Sequence, residues 1–358
     1  MMREFILVLN TGSTSTKLAL YQREKVVAEK TVSHSHEELA QYLFVTQQHD
    51  MRKRCVLDFL TEQQVQLEQL ELIMSRGGST LPVEGGAYLI NDIMFDRLKN
   101  HPFVQHAGIL GPVIARELAN ASGICAYVFD SAAVDEMTDV AHISGMKEIR
   151  RASLVHTLNT RYTSRLVARQ LGRSYETCNI IAAHLGGGIT ITLHSKGRIV
   201  DVVGDEEGSF SPERAGGVSS RMLVDLCFSG NYQSADDVHR IMRGGGGLMS
   251  YLGTADVLEV EEKCTDGDKF AQLIYQAMEY QTAKSIASLA PVVNGAVDFI
   301  VLTGAIAKSE KFISALKQRI SFLAPVHVVP GDHEMEALHQ GALEIIRDPS
   351  CVKTYVES

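Results

Sequence analysis

The sequence predicts an α/β protein in which one strand-and-helix unit occurs twice. Two runs of three short apolar segments carry the signal, because in each run a turn of small residues follows the first segment and helical spacing follows the third. The six predicted strands are Phe5–Leu9, Lys17–Tyr21 and Val26–Val32 in the first run, and Asn179–Leu185, Ile189–His194 and Ile199–Val203 in the second. The length of 358 residues exceeds one typical domain. An internal duplication explains both the length and the repeated pattern.

The remaining segments complete the two units. Predicted strands lie at Leu70–Ser75, Ile124–Phe129, Val297–Leu302 and 325–329. Helical spacing is found at 36–66, Gly108–Ala121, Asn159–Leu171, 219–229, 234–242 and 269–290. The run Gly244–Gly247 predicts a flexible loop without chemistry. We expect one domain over 1–150, rejoined by a C-terminal helix at 334–350, and a second domain over 151–333.

The composition restricts the classes of function. With 45% hydrophobic and 22% charged residues the chain resembles an ordinary globular protein, and its net charge of −9 argues against a nucleic-acid partner. No apolar run approaches the ~20 residues that cross a bilayer, and Met1-Met2-Arg3-Glu4 lacks the basic start of an export signal. The six cysteines contain no CxxC pair and are expected to be reduced thiols. We expect a cytoplasmic protein without a membrane partner.

Three turns of small residues follow predicted strands, and each has the composition of a phosphate or nucleotide contact. Turns of this kind expose backbone N–H groups to phosphate oxygens, and glycine allows the ligand a close approach. The residues concerned are Asn10, Gly12, Ser13, Ser15 and Lys17 in the first turn, His184, Gly186, Gly187 and Gly188 in the second, and Gly304, Ala305 and Ile306 in the third. One such turn alone is more often a plain hairpin, whereas three after β-segments indicate a nucleotide site. The chain has no GxxxxGK[ST] motif, which disfavours a P-loop enzyme.

Two arginines and one aspartate are candidates for chemistry on phosphate. Arg76 and Arg214 both stand in glycine-flanked loops, where a guanidinium can reach a bound anion or remain solvated. Asp130 ends an apolar segment, a position that opens onto the ligand crevice of α/β sheets. Its alternative role is a cap on the following turn. Phosphoryl transfer uses such cations together with a carboxylate that holds Mg²⁺.

Taken together, these motifs resemble the acetokinase family of the actin/hexokinase/Hsp70 ATPase superfamily, and within it the butyrate kinases. The similar segments run nearly end to end and include Asn10–Lys17, Ser75–Gly78, Val128–Met137, Ala183–Gly188, Phe210–Gly217 and Val329–Leu338. The resemblance implies two ribonuclease-H-like domains of order βββαβαβα with an active-site cleft between them. It also implies ATP and ADP as nucleotides, Mg²⁺ as metal ion, and a dimer or larger homo-oligomer.

The same resemblance implies roles for individual residues. The three turns hold the nucleotide, and Asn10, Asp130 and Glu334 surround the metal ion. Arg76, Arg214, His156 and Asp130 are the implied catalytic residues, and Arg76, Gly77, Gly78, His106 and Val155 the implied acid-binding residues. The implied reaction is attack of a substrate carboxylate on the γ-phosphorus of ATP, for which no general base is needed because the acid is already ionised.

The acid itself is predicted from shape. Acetate kinases carry bulky valines where this chain has Gly77-Gly78, so the missing side chains predict room for butyrate or a branched C4–C5 acid. The alternatives are an acetate or propionate kinase, a sugar kinase of the same superfamily, and a nucleotide-binding relative without turnover.

Overall fold

The computed structural model describes residues 3–357, and contacts between residues divide these into two units. Unit 1 ends at Asp135 and resumes at His333, and unit 2 is Glu136–Asp332. The division falls before the predicted boundary at 150, for a local reason. The Val83 N–H donates a backbone hydrogen bond to Ala133, and the Asp135 N–H donates one to Val83, so the chain stays in unit 1 as far as Asp135. The next residue, Glu136, instead pairs with Arg161 of unit 2.

The strands keep close to their predicted positions, and two short strands that were not predicted follow the fourth strand and the last helix. In chain order they are β1 (Phe5–Thr11), β2 (Ser15–Gln22), β3 (Lys25–Ser33), β4 (Leu70–Ser75), β5 (Ala87–Leu89), β6 (Cys125–Phe129), β7 (Asn179–Leu185), β8 (Ile189–Ser195), β9 (Arg198–Val203), β10 (Phe299–Gly304), β11 (Val326–Pro330) and β12 (Lys353–Thr354).

The helices are more numerous than predicted. They are α1 (His36–Leu39), α2 (His49–Glu62), α3 (Asp92–Asn100), α4 (Leu110–Ser122), α5 (Asp139–His142), α6 (Thr157–Gln170), α7 (Ser220–Cys227), α8 (Ala235–Met242), α9 (Gly247–Leu252), α10 (Val257–Thr265), α11 (Lys269–Ser288), α12 (Glu310–Ile320) and α13 (Glu334–Arg347). The predicted helical stretch 36–66 is broken into α1, a single-turn 3₁₀ helix and α2. Gly247 begins α9, so the loop predicted at 244–247 ends earlier than expected.

The two sheets share a core of five strands with one topology, and the sheet of unit 1 adds β5 and β12 at one edge. In unit 1 the order is β12-β5-β6-β4-β1-β2-β3, and in unit 2 it is β11-β10-β7-β8-β9. Each sheet contains an antiparallel meander, β1-β2-β3 or β7-β8-β9, and its first strand continues into parallel neighbours, β4 and β6 or β10 and β11. The predicted duplicated α/β fold is therefore confirmed.

Both faces of the unit 2 sheet are covered, which explains why β7 is apolar at almost every position. Ile181 and Ala183 point into a core built with α11 and α12, while Ile180 and Ala182 point to the opposite core beside α6. A strand buried on both faces loses the polar alternation of a half-exposed strand. The carboxyl ends of β7 and β10 remain free to carry the two turns of this unit.

No helix among residues 3–357 combines the length and the apolar character that crossing a membrane requires.

Candidate active site

In unit 1, three predicted residues meet at the carboxyl ends of β1 and β4. These strands are parallel neighbours with Leu9 opposite Ser75, so Asn10 and Arg76 emerge side by side. Glu334 reaches them from the first turn of α13. Its Oε2 accepts a hydrogen bond of 2.6 Å from Asn10 Nδ2, and its Oε1 lies 3.0 Å from Arg76 Nη1. The preceding residue, His333, points its Nδ1 toward Glu336 at 3.5 Å. Glu334 is therefore the residue of this segment that contacts Asn10 and Arg76.

The residues around Asn10 fit a hard cation such as Mg²⁺. Asn10 is 2% exposed, and its side-chain oxygen Oδ1 is buried without a hydrogen-bond partner. A buried carbonyl-type oxygen without a partner is unfavourable unless a ligand satisfies it. Between residues 3 and 357 no three His, Cys, Asp or Glu side chains converge as a closed metal cage. Mg²⁺ does not need one, because it binds through one or two carboxylates, waters and substrate phosphates.

Asp130 lies at the end of β6, the strand beyond β4, and is 2% exposed. Its Oδ1 accepts a hydrogen bond of 2.8 Å from the Gly86 N–H, and its own N–H donates to the Gly86 carbonyl at 3.1 Å. The residue has a φ of 41°, which is unusual for a residue other than glycine. Asp130 therefore closes the loop at Gly86, in addition to any part it plays for a metal ion.

The first predicted phosphate turn is a hairpin between β1 and β2. Asn10 is opposite Lys17, and the Gly12 N–H donates to the Ser15 carbonyl at 2.8 Å. The Ser13 hydroxyl lies 3.2 Å from His106 Nε2. His106 and Ser13 are thus brought together, although 93 positions separate them in the chain.

The two glycines after Arg76 do not open a cavity. A Cβ on Gly77 would lie 2.3 Å from the Cβ of Ser131, and a Cβ on Gly78 would lie 2.9 Å from the Cα of Ile109. Both distances are far below van der Waals contact, so protein atoms already fill the space that larger side chains would take. The prediction that these glycines leave room for a longer acid is wrong. They allow close packing of the loop that carries Arg76.

In unit 2, two histidines stack beside the second glycine turn. His156 and His184 have ring centroids 3.8 Å apart and an interplanar angle of 11°. His156 Nδ1 lies 2.9 Å from the Thr190 hydroxyl, and His184 Nδ1 lies 2.9 Å from Asn159 Oδ1. Asn159 also donates to the Gly331 carbonyl at 3.2 Å. Each ring is therefore fixed in orientation by a polar partner.

Arg214 belongs to a charged network that faces the same turn. Asp205 Oδ2 lies 3.3 Å from Arg214 Nε and 3.2 Å from Arg243 Nη2, so one carboxylate holds two guanidinium groups. Burial raises the pKa of Asp205, and the two positive charges oppose that rise. The Gly188 position lies 3.3 Å, measured from an added Cβ, from the same carboxylate oxygen. Asp205 thereby fixes Arg214 next to the second phosphate turn.

The glycines at 246 and 247 hold the Arg214 loop by close contact. A Cβ on Gly246 would lie 2.4 Å from the Ala215 nitrogen, and one on Gly247 would lie 1.7 Å from the Ser211 carbonyl oxygen. This run was predicted to be a flexible loop without chemistry, and the structure shows that its last two glycines pack closely against the Arg214 loop.

The second and third turns share a pocket of about 430 Å³ in unit 2. Its lining combines turn atoms with apolar side chains: Gly186, Gly187, Pro212, Glu213, Ala255, Asp256, Val257, Leu258, Ala305, Ile306, Lys308 and Ser309. Ala305 has a φ of −66°, so alanine is accommodated there without strain. Gly304 has a φ of +91°, and a Cβ on it would lie 2.3 Å from the Leu185 carbonyl oxygen. A mostly apolar pocket with a few polar groups is typical of a small-molecule site.

Several residues of the site were not predicted, and one predicted residue, Val155, packs its side chain in the core. Asp205, Arg243 and Asn159 were not singled out, since a charged or amide residue in a loop or helix gives no distinguishing local pattern. Val155 is 7% exposed and packs in an apolar cluster with Met137, Ala141, Ile199 and Val202. Its contacts are those of a core residue of unit 2.

The two sheets, with their repeated strand order, define an actin-like fold. A profile of the Acetokinase family matches residues 111–356, well over half of the chain. The chain therefore belongs to the acetokinase family.

Solved structures of low identity share the fold. The chain is similar to an acetate kinase from Porphyromonas gingivalis, with a TM-score of 0.78 and 19% identity over 96% of this chain and 100% of that one. It is also similar to a propionate kinase from Francisella tularensis subsp. tularensis SCHU S4, with a TM-score of 0.76 and 19% identity over 94% and 98% of the two chains. For an acetate kinase from Entamoeba histolytica the TM-score is 0.75 and the identity 17%, over 96% and 100%.

Proposed function

We propose that this protein is a cytoplasmic kinase of short-chain carboxylic acids, which transfers the γ-phosphoryl group of ATP to the acid and releases ADP. Members of the acetokinase family are phosphotransferases with a carboxyl acceptor and use ATP and ADP. The observation that carries the proposal is the guanidinium of Arg76 beside Glu334 and the unsatisfied oxygen of Asn10. This group offers one position for an anion and one for a divalent cation.

The proposed reaction is a direct displacement. A carboxylate oxygen of the acid forms a bond to the γ-phosphorus, the bond to the oxygen that bridges the β- and γ-phosphates breaks, and its electron pair leaves with ADP. Both reactants are anions, so the enzyme must offset their repulsion and hold them in line. Arg76 binds the carboxylate in this proposal, and Arg214 and His156 donate to the oxygens of the phosphoryl group in transfer.

The protein residues would hold Mg²⁺ through Asn10 Oδ1 and Glu334, with Asp130 as a further carboxylate on the same sheet edge. When bound, the ion neutralises phosphate charge. Asp205 keeps Arg214 in place through its 3.3 Å ion pair, and Thr190 and His184 keep the His156 ring in one orientation. Fixed donors of this kind need no reorganisation during the reaction.

We propose butyrate or a branched C4–C5 acid as the preferred substrate, because the motifs of the chain, among them Asn10–Lys17 and Ala183–Gly188, resemble those of the butyrate kinases. Acetate or propionate is the second candidate. The filled space at Gly77 and Gly78 removes the argument from shape for the longer acid, so a direct comparison of the acids decides between them.

The test incubates the full-length protein with Mg-ATP, hydroxylamine and one acid at a time from C2 to C6, and measures hydroxamate and ADP. Formation of hydroxamate with stoichiometric ADP supports the acyl kinase, and the ratios of kcat/KM identify the acid. ADP formation with glucose or N-acetylmannosamine but with no acid would instead indicate a sugar kinase. A protein that binds ADP and turns over none of these substrates would be a binding relative, and the proposal would be refuted.

A further inference from the structure

Arg52, on α2, is completely buried at 0% exposure although it carries a positive charge. Its donors are all accepted by neutral oxygens. Nη1 donates to the Ser15 carbonyl at 2.9 Å and to the Thr16 hydroxyl at 3.1 Å, and Nη2 donates to the Ser13 carbonyl at 3.2 Å. Gln48 Oε1 accepts from Nε at 3.1 Å and from Nη2 at 3.0 Å. The guanidinium therefore lies directly beneath the first phosphate turn.

Within the part of the chain that the structure describes, no carboxylate forms an ion pair with Arg52. Glu38 raises the pKa of Arg52 from a distance, and its Oε2 lies 3.4 Å from His34 Nδ1. Burial lowers the pKa of Arg52, but an arginine side chain stays protonated in proteins. Burial, followed by the charge of Arg52, also lowers the pKa of His34. A buried charge with only neutral partners is costly, so it calls for a functional reason.

The hydrogen bonds of Arg52 also set the direction of the turn. Because a trans peptide points its C=O and N–H in opposite directions, the Ser13 carbonyl directed at Arg52 turns the Thr14 N–H away from it. The side chains of Ser13 and Thr14 are exposed on that outer side. The turn thus directs the Thr14 N–H outward and keeps a positive charge underneath.

We propose that Arg52 is a positioning residue for a polyphosphate at this turn, acting both by fixing the carbonyls of Ser13 and Ser15 and by its buried positive charge. The inference rests on the proposed function, because the polyphosphate in question is the phosphate chain of the nucleotide. Arg52 itself does not touch that ligand. It stabilises the anion through the turn and through space.

The test compares Arg52→Gln and Arg52→Lys with a matched control, Lys53→Met. Lys53 is the next residue of α2 and forms an ion pair of 2.7 Å with Glu117, so its replacement removes one charge without touching the turn. Titration calorimetry with inorganic tripolyphosphate and with Mg-ADP measures affinity, and steady-state assays separate KM for ATP from kcat. We expect Arg52→Gln to lower the affinity for both ligands about tenfold or more and to raise KM for ATP with little change in kcat. Arg52→Lys should recover affinity to within about threefold, and Lys53→Met should stay within about twofold.

A folded Arg52→Gln protein with wild-type affinity for tripolyphosphate would overturn the inference. If Arg52→Gln does not fold, Arg52→Lys decides, since a folded lysine variant that loses about tenfold in affinity while keeping the positive charge would overturn the inference. Wild-type protein that forms acyl phosphate but does not bind tripolyphosphate would refute this inference and leave the proposed function intact. If the protein forms no acyl phosphate, but the variants bind tripolyphosphate with the expected order of affinities, the proposed function is refuted and the inference on Arg52 is retained.

Discussion

Gly77→Ala tests whether the glycine after Arg76 serves the substrate or the packing of the loop. The added Cβ would lie 2.3 Å from Ser131 Cβ and 3.3 Å from Ser131 Cα. Ordinary contact between such atoms is about 3.5–4.0 Å, so the loop or Ser131 must move by more than about 1 Å in a close-packed region. Overpacking of this size costs about 1–3 kcal/mol. We expect the free energy of unfolding, measured with urea, to fall by that amount.

The matched variant is Ser131→Gly in the Gly77→Ala background. It removes the Cβ that the alanine strikes, so we expect the double variant to recover at least about half of the lost stability. The ratio of kcat/KM for butyrate to that for acetate should change less than about threefold in either variant, because the methyl group points at Ser131. A Gly77→Ala protein of wild-type stability that now prefers acetate would refute this reasoning.

Four further changes probe the site and its support. Arg76→Ala should lower kcat at saturating acid and Mg-ATP about a hundredfold or more, the scale for loss of one transition-state donor; near-wild-type turnover would contradict the assignment. Glu334→Gln should raise the Mg²⁺ concentration for half-maximal activity about tenfold, since it removes a charge beside Asn10 and Arg76; an unchanged Mg²⁺ titration would exclude Glu334 from the metal site. Gly304→Ala should weaken Mg-ADP binding and destabilise the protein by at least about 2 kcal/mol, because φ is +91° and the new methyl meets the Leu185 carbonyl at 2.3 Å. Calorimetry measures the affinity and urea unfolding the stability, and wild-type values in either measurement would contradict the prediction. Glu279→Gln should stabilise the protein by about 2 kcal/mol at pH 7.5, because burial raises the pKa of Glu279 from 4.5 to about 6 and the ionised form is the unfavourable one in the fold. The gain should vanish as the pH falls from about 6 to below 4.5, and a pH-independent gain would contradict the electrostatic cause.

Much of the fold could be predicted because its signals are local. The bounds of β4 and β7 agree with the sequence pattern residue for residue, since a short apolar segment between polar turns leaves little choice of element. The interruption between α1 and α2, which contains a single-turn 3₁₀ helix, was not predictable in the same way. Polar residues with helical spacing do not show where tertiary contacts interrupt a helix.

The site could be predicted in part. The small-residue turns at Gly12 and Gly186 were recognisable because glycine and hydroxyl residues after a strand are a property of a few adjacent positions. The residues that support these turns were not recognisable in the sequence. Asp205, which holds Arg214, and Arg52, which lies beneath the first turn, are ordinary charged residues in sequence and gain their meaning only from burial and from partners distant in the chain.

The sequence by itself determined the duplicated α/β architecture, the three turns and the two glycine-flanked arginines, because all of these depend on neighbouring residues. Only the tertiary structure decided which groups act together. It brought Glu334 to within 2.6 Å of Asn10 across 324 positions, and it filled the space at Gly77 with Ser131. The physical reason is that close packing is set by how whole strands and helices meet, and the residues near a glycine in the chain do not reveal which distant atom will occupy its missing side chain.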